Sequence, residues 1–198
     1  MEVIKKNYGW VIVAILATLP LIPLSNVLSQ SGLLTSSLAD EESQKAIGML
    51  YHITGEFSIR WMTAVLSCTP FFILFGVTNL FVRQAMGIAT AVWSLLHFLF
   101  FILAEGFLET FTQVNFILGF IATLILIPLL LTSNRKALKR LKSNWKKIQR
   151  YAYLVILLSL THVVILEKTW LIYTIIVGLG FIIRIPFVKH KFMARRMT

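Results

Sequence analysis

Six long apolar runs, separated by short polar or charged stretches, dominate the pattern of the chain. A helix that crosses about 30 Å of hydrocarbon needs about 20 consecutive apolar residues. The runs are Tyr8–Leu28, Phe57–Val82, Ala85–Phe107, Asn115–Ser133, Tyr151–Leu166 and Trp170–Val188. The pattern therefore predicts an all-α integral membrane protein, a bundle of six transmembrane helices.

Two features interrupt this pattern. The longest polar connection, Ser29–Glu56, is rich in serine and acidic residues, and it predicts a short amphipathic helix near Glu42–Tyr51. Among the prolines, Pro20, Pro23, Pro70 and Pro128 lie inside the runs. Because proline lacks the backbone N–H, we expect kinks or unpaired carbonyls at these positions.

Most basic residues fall on one side of the six predicted spans, and most acidic residues fall on the other. The segment Asn134–Arg150, between the fourth and fifth spans, contains eight basic residues and no acid. The other basic residues on that side are Lys5, Lys6, Arg83, Lys189, Lys191, Arg195 and Arg196. The acids on the opposite side are Asp40, Glu41, Glu42, Glu56, Glu105, Glu109 and Glu167. The positive-inside rule therefore predicts that both termini are cytoplasmic.

Composition agrees with a membrane protein. The 198 residues are 58% hydrophobic and only 14% charged, with a mean hydropathy of +0.82, which excludes an ordinary soluble domain. The net charge of +11 is concentrated at the ends of the spans, so we interpret it as topology signals and contacts with anionic membrane lipids. Nucleic-acid binding is not indicated.

The sequence predicts one transmembrane domain over residues 1–198, with Tyr8–Leu28 as an uncleaved first helix. A Gly-x-Gly-x-x-Gly dinucleotide motif is absent, so the chain does not bring its own nicotinamide or flavin dehydrogenase. The single cysteine, Cys68, allows no intrachain disulfide, and no C-x-x-C-H is present for covalent haem attachment. Any haem would be non-covalent and therefore of the b type.

Two histidines, His97 and His162, lie inside the third and fifth spans, which run in the same direction. At about 1.5 Å per residue, each lies roughly 17–18 Å from the inner end of its span, in the outer half of the membrane. Ionisable residues inside a membrane usually mark function. Two imidazoles at one depth on two helices are the ligands that a haem iron requires.

The residues below each histidine repeat the same spacing. The two sets are Gly87, Thr90, Ser94, His97 and Ala152, Val155, Ser159, His162. Each set lies on one helix face, and its small side chains leave room for a flat macrocycle. Each set ends in Ser-x-x-His, although the free N–H of a ligating imidazole more often donates to a carbonyl or carboxylate.

Helix packing is the alternative for both histidines, because small faces and single histidines also join membrane helices. A metal other than haem iron is disfavoured, since no Cys, Asp or Glu lies at the same depth. Near the outer end of the second span, Arg60 and His52 are candidate partners of the haem propionates. For Arg60 the alternative is a side chain that simply reaches the membrane interface.

Taken together, the chain resembles the haem-binding membrane subunit of the bacterial methionine-sulfoxide reductase system, in the ferric-reductase-like transmembrane superfamily. The resemblance covers about residues 51–188. The stretches that carry it are His52-Ile53-Thr54-Gly55 with Arg60, Thr69-Pro70, Arg83-Gln84-Ala85-Met86-Gly87, Leu95-Leu96-His97-Phe98, Leu131-Thr132-Ser133-Asn134, and Trp145 to Leu154 followed by His162.

The resemblance implies an electron conduit in the bacterial inner membrane. Electrons would come from the quinone pool or a cytoplasmic flavin reductase, with quinone or FMN as a further cofactor. They would pass through b-type haem to a periplasmic molybdenum-dependent reductase that repairs oxidised methionine. His97 and His162 fall on the family's haem-ligand positions. The interfacial aromatics Trp145, Tyr151 and Tyr153 are candidate contacts for quinone or flavin.

One position departs from the family pattern. The family usually has a histidine where this chain has Gln149, at the inner end of the fifth span. An amide is a poor ligand for haem iron compared with imidazole, so we expect one haem. Two other functions stay open: the membrane subunit of a ferric or other metal reductase, and a transport or assembly protein without redox activity, whose histidines only pack.

Overall fold

The computed structural model describes residues 2–30, 41–77 and 79–195 of the chain. These residues form ten α-helices and one 3-10 turn, Leu108–Phe111, with no β-strand among them. The helices are α1 (Glu2–Thr18), α2 (Leu21–Gln30), α3 (Glu41–Phe75), α4 (Leu80–Glu105), α5 (Val114–Thr132), α6 (Arg135–Leu141), α7 (Ser143–Arg150), α8 (Ala152–Ile165), α9 (Leu171–Arg184) and α10 (Pro186–Arg195). The prediction of an all-α protein is confirmed.

Five helical stretches of the described chain are long and apolar enough to cross a membrane. They are Tyr8–Val27, Lys45–Phe75, Leu80–Glu105, Val114–Thr132 and Ser143–Ile165. A sixth candidate consists of α9 and α10, which are bent by 77° relative to each other. The sixth predicted span, Trp170–Val188, is therefore not one straight helix. The bend follows from Pro186, which favours an extended backbone at Ile185, with φ −56° and ψ 131°.

The exposed surface of the spans is apolar. Large side chains such as Leu131, Phe75 and Leu171 are 69%, 62% and 58% exposed. A water-soluble protein rarely exposes so much continuous apolar surface. A bilayer therefore covers these faces.

Two of the predicted boundaries between the first three spans were wrong. The amphipathic helix expected near Glu42–Tyr51 is the first part of the continuous helix α3, so the second half of the predicted connection is helical. Residues 31–40 of that connection lie outside the described part of the chain. Helix α4 begins at Leu80 rather than Ala85, because the Asn79 side chain accepts hydrogen bonds from the next backbone N–H groups at 3.0 and 3.2 Å. Arg83 thus lies in the first turn of α4 and not in a connection.

The prolines have different effects. Pro20 lies at the turn between α1 and α2, whereas Pro128 lies inside α5 without ending it. Pro70 lies inside α3 and offers no N–H to the carbonyl of Leu66, one turn earlier. The guanidinium of Arg184 on α9 donates to this carbonyl instead, at 2.5 Å. The expected unpaired carbonyl is therefore paired by a neighbouring helix.

Two helix pairs form the centre of the molecule: α3 with α4, and α5 with α8. The pairs meet where α4 contacts α5 and where α3 contacts α8. The main buried cluster draws on these helices and α9, through Ile59, Met62, Leu66, Ala91, Ala122, Leu126, Val155, Ile156, Leu160 and Val177. Helix α1 packs outside α4, and the indole of Trp93 donates to the carbonyl of Ala17 at 3.1 Å. The four central helices surround the site described next.

Candidate functional site

The two intramembrane histidines lie beside each other although they are far apart in sequence. The ring centres of His97 on α4 and His162 on α8 are 6.4 Å apart, and the ring planes are inclined by 70°. A metal–imidazole bond is about 2 Å long, and the ligating nitrogen lies about 1.1 Å from the centre of its ring. Two imidazoles that bind one ion from opposite sides therefore have ring centres about 6 Å apart. The observed separation is therefore that of two imidazoles able to share a metal ion.

Both imidazoles use the same ring nitrogen to bind the backbone. Nδ1 of His97 lies 2.7 Å from the carbonyl oxygen of Tyr51 on α3, and Nδ1 of His162 lies 2.6 Å from that of Asn115 on α5. A carbonyl oxygen only accepts, so each Nδ1 carries the hydrogen and donates it. Nε2 then keeps its lone pair, the form in which a histidine binds a metal.

A glycine lies directly against each imidazole. A Cβ added to Gly55 would lie 2.9 Å from Nδ1 of His97, and one added to Gly119 would lie 3.2 Å from Cε1 of His162. Such distances are shorter than ordinary van der Waals contact. The absence of a side chain at these two positions makes room for the two rings.

A cavity of about 720 Å³ adjoins the histidines, between α3, α4, α5 and α8. Cofactor pockets typically have volumes of about 300–1,000 Å³. Both histidines border it, as do small or medium residues from the two repeated sets: Thr90, Ser94, Val155 and Ser159. Gly87 and Ala152, the first members of those sets, do not. The cavity can therefore accept a flat macrocycle between the two ligand helices.

The serines of the two Ser-x-x-His sequences do not hold the imidazoles. The Ser94 hydroxyl forms a hydrogen bond of 2.5 Å with the Ser58 hydroxyl on α3, and Ser159 borders the cavity. The imidazole N–H groups donate to carbonyls, as expected for ligating histidines.

Arg60 and His52 both border the cavity on its exposed side. The Arg60 guanidinium forms an ion pair with Glu56 one turn earlier, and its Nε donates to the Tyr173 hydroxyl at 3.4 Å. Both partners of the ion pair are about half exposed, at 53% and 51%. The His52 ring lies against that of Tyr51, with centres 4.3 Å apart. Arg60 thus combines access to the cavity with contacts to its neighbours.

The described residues include no group of three or more His, Cys, Asp or Glu side chains that could hold a metal ion. The histidine pair alone supplies two nitrogen ligands. Two axial imidazoles are sufficient for an iron whose remaining ligands come from a porphyrin. The donor set and the adjoining cavity together fit haem.

Helix α7, which directly precedes α8, is packed against the C-terminal end of α5. The Gln149 amide donates to the Leu129 carbonyl at 3.3 Å and to the Thr132 hydroxyl at 3.0 Å, and the Trp145 indole donates to the Thr132 carbonyl at 2.9 Å. Tyr153 contacts Arg184 and Phe181 instead. The structure does not bring Gln149 or these aromatics to the cavity beside the histidines.

Sequence reasoning missed the residues that hold the imidazoles. Gly119 and Asn115 were not singled out, and Gly55 was noted only as part of a motif. The spacing contained a usable sign: Tyr51 and Asn115 each precede a glycine by four residues. Nothing in that spacing names the helix on which the partner histidine lies, so only the folded chain reveals the contact.

Comparison with known proteins places the chain in a family. The sequence profile described as "ferric reductase like transmembrane component" matches residues 54–160, more than half of the chain. The chain belongs to this family. The match to the ferric-reductase-like family includes His97 and ends just before His162.

Three similar bacterial proteins share one description, the heme-binding subunit MsrQ of protein-methionine-sulfoxide reductase. The protein from Agrobacterium fabrum is 32% identical over 66% of this chain and 66% of its own length. That from Rhizobium meliloti is 31% identical over 59% of this chain, and that from Brucella ovis 28% over 60%. The chain spans 57–66% of the length of these relatives. No solved structure matches it.

The ferric-reductase-like family, the bacterial relatives and the apolar helices together make the chain a multi-pass protein of the bacterial inner membrane. This confirms the predicted localisation. The predicted cytoplasmic position of both termini stays a prediction.

Proposed function

We propose that this chain carries electrons across the inner membrane through one b-type haem, as the membrane subunit of a methionine-sulfoxide reductase system. In this proposal residues 1–198 act as a single haem-binding domain, with His97 and His162 as the axial ligands. The relatives named as heme-binding subunits of such a reductase support both the cofactor and the system.

The observation that carries the proposal is the hydrogen bonding and the relative position of the two histidines. Both donate through Nδ1 to a helix carbonyl, which leaves both Nε2 atoms as ligands, and their ring centres are 6.4 Å apart beside a cavity. Histidines that only join helices have no need of a shared cavity or of the same free nitrogen. The shared cavity and the two free Nε2 atoms therefore support a common ligand rather than packing alone.

Haem iron supplies one-electron redox chemistry when bound. The part of the protein is to orient the imidazoles through Tyr51 and Asn115 and to keep water from the ligands with apolar neighbours such as Phe101, Phe116 and Leu126. Because His97 and His162 would both bind the iron, the site would leave no open position for a substrate. This arrangement suits electron relay rather than chemistry on a bound molecule.

Arg60 and His52 would contact the haem propionates at the exposed side of the cavity. The guanidinium of Arg60 offers several donors, of which two are used for Glu56 and Tyr173. His52 is exposed, and its ring borders the same cavity. Both side chains can thus reach a carboxylate at the cavity mouth.

The donor and acceptor follow from the same proposal. The acceptor would be a periplasmic molybdenum-dependent reductase, which meets the acidic side of the bundle. The donor would be the quinone pool or a cytoplasmic flavin reductase, with quinone or FMN bound near the basic segment Asn134–Arg150. The basic side chains of this segment, exposed at both α6 and α7, are suited to anionic partners and anionic lipids.

A second candidate is the membrane subunit of a ferric or other metal reductase. The description of the matching family favours it. The haem site would be the same, and only the acceptor would differ. Oxidation of the dithionite-reduced protein by ferric citrate, compared with oxidation by the periplasmic reductase, separates the two.

The proposal predicts the optical spectrum of the purified protein. A dithionite-reduced minus oxidised difference spectrum should show a b-type α-band at about one haem per chain. His97→Ala and His162→Ala should each remove most of that band, because one imidazole is lost from the iron. Pyridine hemochrome analysis gives the haem content.

His190→Ala is the matched control, since this histidine is exposed on α10 and does not border the cavity. It should retain the full band. A wild-type protein that contains no haem after expression in haem-replete cells would refute the electron conduit and favour the packing histidines of a transport or assembly protein. Two haems per chain would show that Gln149 does not prevent a second site.

A further inference from the structure

Two glycines contact the proposed ligand histidines in the same way. We propose that Gly55 and Gly119 are positioning residues, which let each histidine reach a helix carbonyl and so direct its Nε2 at the haem iron. This inference rests on the proposed function. It adds two residues, one on α3 and one on α5, to those that determine how the histidines bind the iron.

The same three groups, an imidazole, a helix carbonyl and a glycine, form each of the two contacts. His97 of α4 donates to the carbonyl of Tyr51 and lies against Gly55, both on α3. His162 of α8 donates to the carbonyl of Asn115 and lies against Gly119, both on α5. In each case the glycine follows the accepting residue by four positions. The two helix pairs thus hold their histidines by the same arrangement of carbonyl and glycine.

Helix geometry explains the spacing of four. A helical carbonyl points along the axis toward the N–H of the residue four positions later, and it has a second lone pair that faces outward. The side chain of that later residue lies next to this outward lone pair. Glycine at that position exposes the carbonyl, so an imidazole from the neighbouring helix can approach to 2.6–2.7 Å.

Other glycines of the bundle are either uncrowded or face residues other than histidine, as Gly180 faces Pro70. A Cβ on Gly87 of α4 would meet nothing nearer than Val65 at 4.0 Å, and one on Gly178 of α9 would meet nothing within 4 Å. At Gly55 and Gly119 the nearest atoms are imidazole atoms in both cases. The space at these two positions is therefore shaped for the histidines.

The hydrogen bond to the carbonyl does three things for a ligand. It fixes the tautomer with hydrogen on Nδ1, it holds the ring plane, and it makes Nε2 a stronger donor to the metal. A methyl group at 2.9–3.2 Å from the ring would force the imidazole away and lengthen or break this bond. Ligand strength and ring orientation should both change as a result.

The test compares Gly55→Ala and Gly119→Ala with Gly87→Ala and Gly178→Ala in the full-length protein. The first two should lower the apparent haem affinity by about 10- to 100-fold, the usual effect of losing a partner of a metal ligand. They should also shift the g values of the low-spin ferric haem in electron paramagnetic resonance. The midpoint potential should rise, because a weaker nitrogen donor stabilises the ferric iron less. The two control variants should match wild type in all three measurements.

Wild-type g values and haem affinity in both Gly55→Ala and Gly119→Ala would overturn the inference and leave the proposed function intact. A wild-type protein without haem would overturn both. Should either variant fail to accumulate, ¹⁵N-histidine NMR of the diamagnetic ferrous wild type still decides. A strongly hydrogen-bonded Nδ1–H on both ligands is expected, and a solvent-exchanging, unbonded Nδ1–H on either would refute the assignment.

Discussion

An imidazole inside a membrane is costly unless its polar atoms have partners. In this protein the carbonyls of Tyr51 and Asn115 supply those partners, although each carbonyl already belongs to a helix. A helical carbonyl can accept a second hydrogen bond, so the histidines need no carboxylate nearby. Each imidazole thereby keeps a hydrogen on Nδ1 and leaves Nε2 available to a metal. The chemistry of the site depends on one hydrogen bond per ligand.

The charges of Arg60 and Glu56 should change the haem potential in opposite directions. A nearby cation favours the reduced iron, so Arg60→Gln should lower the midpoint potential and Glu56→Gln should raise it. An interaction of about 0.2–1 kcal/mol is typical of exposed charges, and a tenfold change in equilibrium constant is about 59 mV for one electron, so shifts of about 10–40 mV are expected. Spectroelectrochemical titration of the α-band measures them.

Arg150→Gln serves as the control for this charge effect, because Arg150 is exposed at the inner end of α7 and does not border the cavity. Its potential should equal that of wild type. Shifts of the same sign in Arg60→Gln and Glu56→Gln would exclude an electrostatic role for the pair.

The helices are joined by contacts that prolines and glycines make possible. Pro70 leaves the Leu66 carbonyl without its helical partner, and Arg184 of α9 donates to that carbonyl at 2.5 Å. Gly180, one turn before Arg184, packs against the Pro70 ring, since a Cβ there would lie 3.2 Å from its Cγ. A proline inside a membrane helix is tolerated when a neighbour replaces the lost bond. Helix α9 is thereby attached to α3 at a defined height.

Removal of Arg184 should cost more stability while Pro70 is present than after Pro70 is replaced. Arg184→Met leaves the Leu66 carbonyl unpaired, which should reduce the free energy of unfolding by about 1–3 kcal/mol. In a Pro70→Ala background the new N–H can pair that carbonyl within α3, so the same substitution should cost less, with a coupling of about 0.5–3 kcal/mol. Denaturant titration in mixed micelles, followed by circular dichroism, measures the free energy of unfolding of the wild type, the two single variants and the double variant.

Lys191→Met is the control, because the Lys191 side chain is exposed on α10. It should leave the free energy of unfolding unchanged. Equal losses from Arg184→Met in the two backgrounds would contradict the pairing of Arg184 with the carbonyl that Pro70 leaves free.

The whole bundle combines two helix pairs with a strong asymmetry of charge. Helices α3 and α4 bring His97 to the centre, while α5 and α8 bring His162, and the cavity lies where the pairs meet. Basic residues concentrate in α6 and α7, whereas the exposed acids Glu56, Glu105 and Glu167 lie in α3, at the end of α4 and just after α8. The positive-inside rule predicts that the cavity faces the periplasmic half of the membrane.

This orientation predicts which engineered cysteines a membrane-impermeant maleimide can reach. In a Cys68→Ala background, Gln113→Cys should be labelled in intact spheroplasts, since Gln113 lies just before α5 on the acidic side. Lys142→Cys, between α6 and α7, should be labelled only after lysis. The background protein without either cysteine is the control. The reverse pattern would refute cytoplasmic termini.

Much of the fold could be predicted from the sequence because the bilayer imposes a simple rule on it. Apolar runs of sufficient length must be helical, so five of the six predicted spans have counterparts in α1 to α8. Boundaries were less predictable: the Asn79 cap and the Pro186 bend are local effects that hydropathy does not register. His97 and His162 were identified because ionisable residues are rare in spans. Their helix-carbonyl partners were not identified, because every residue has a backbone carbonyl and the sequence does not mark the one that accepts.

The sequence by itself determined that this protein is a helical membrane bundle with two histidines at similar depth, because hydropathy and charge act position by position. Only the tertiary structure decided that these histidines lie side by side, that Gly55 and Gly119 admit them to two carbonyls, and that a cavity adjoins them. Contacts between helices depend on how each helix is rotated and how closely it packs. Those quantities arise from the summed packing of many side chains and are not encoded at any single position.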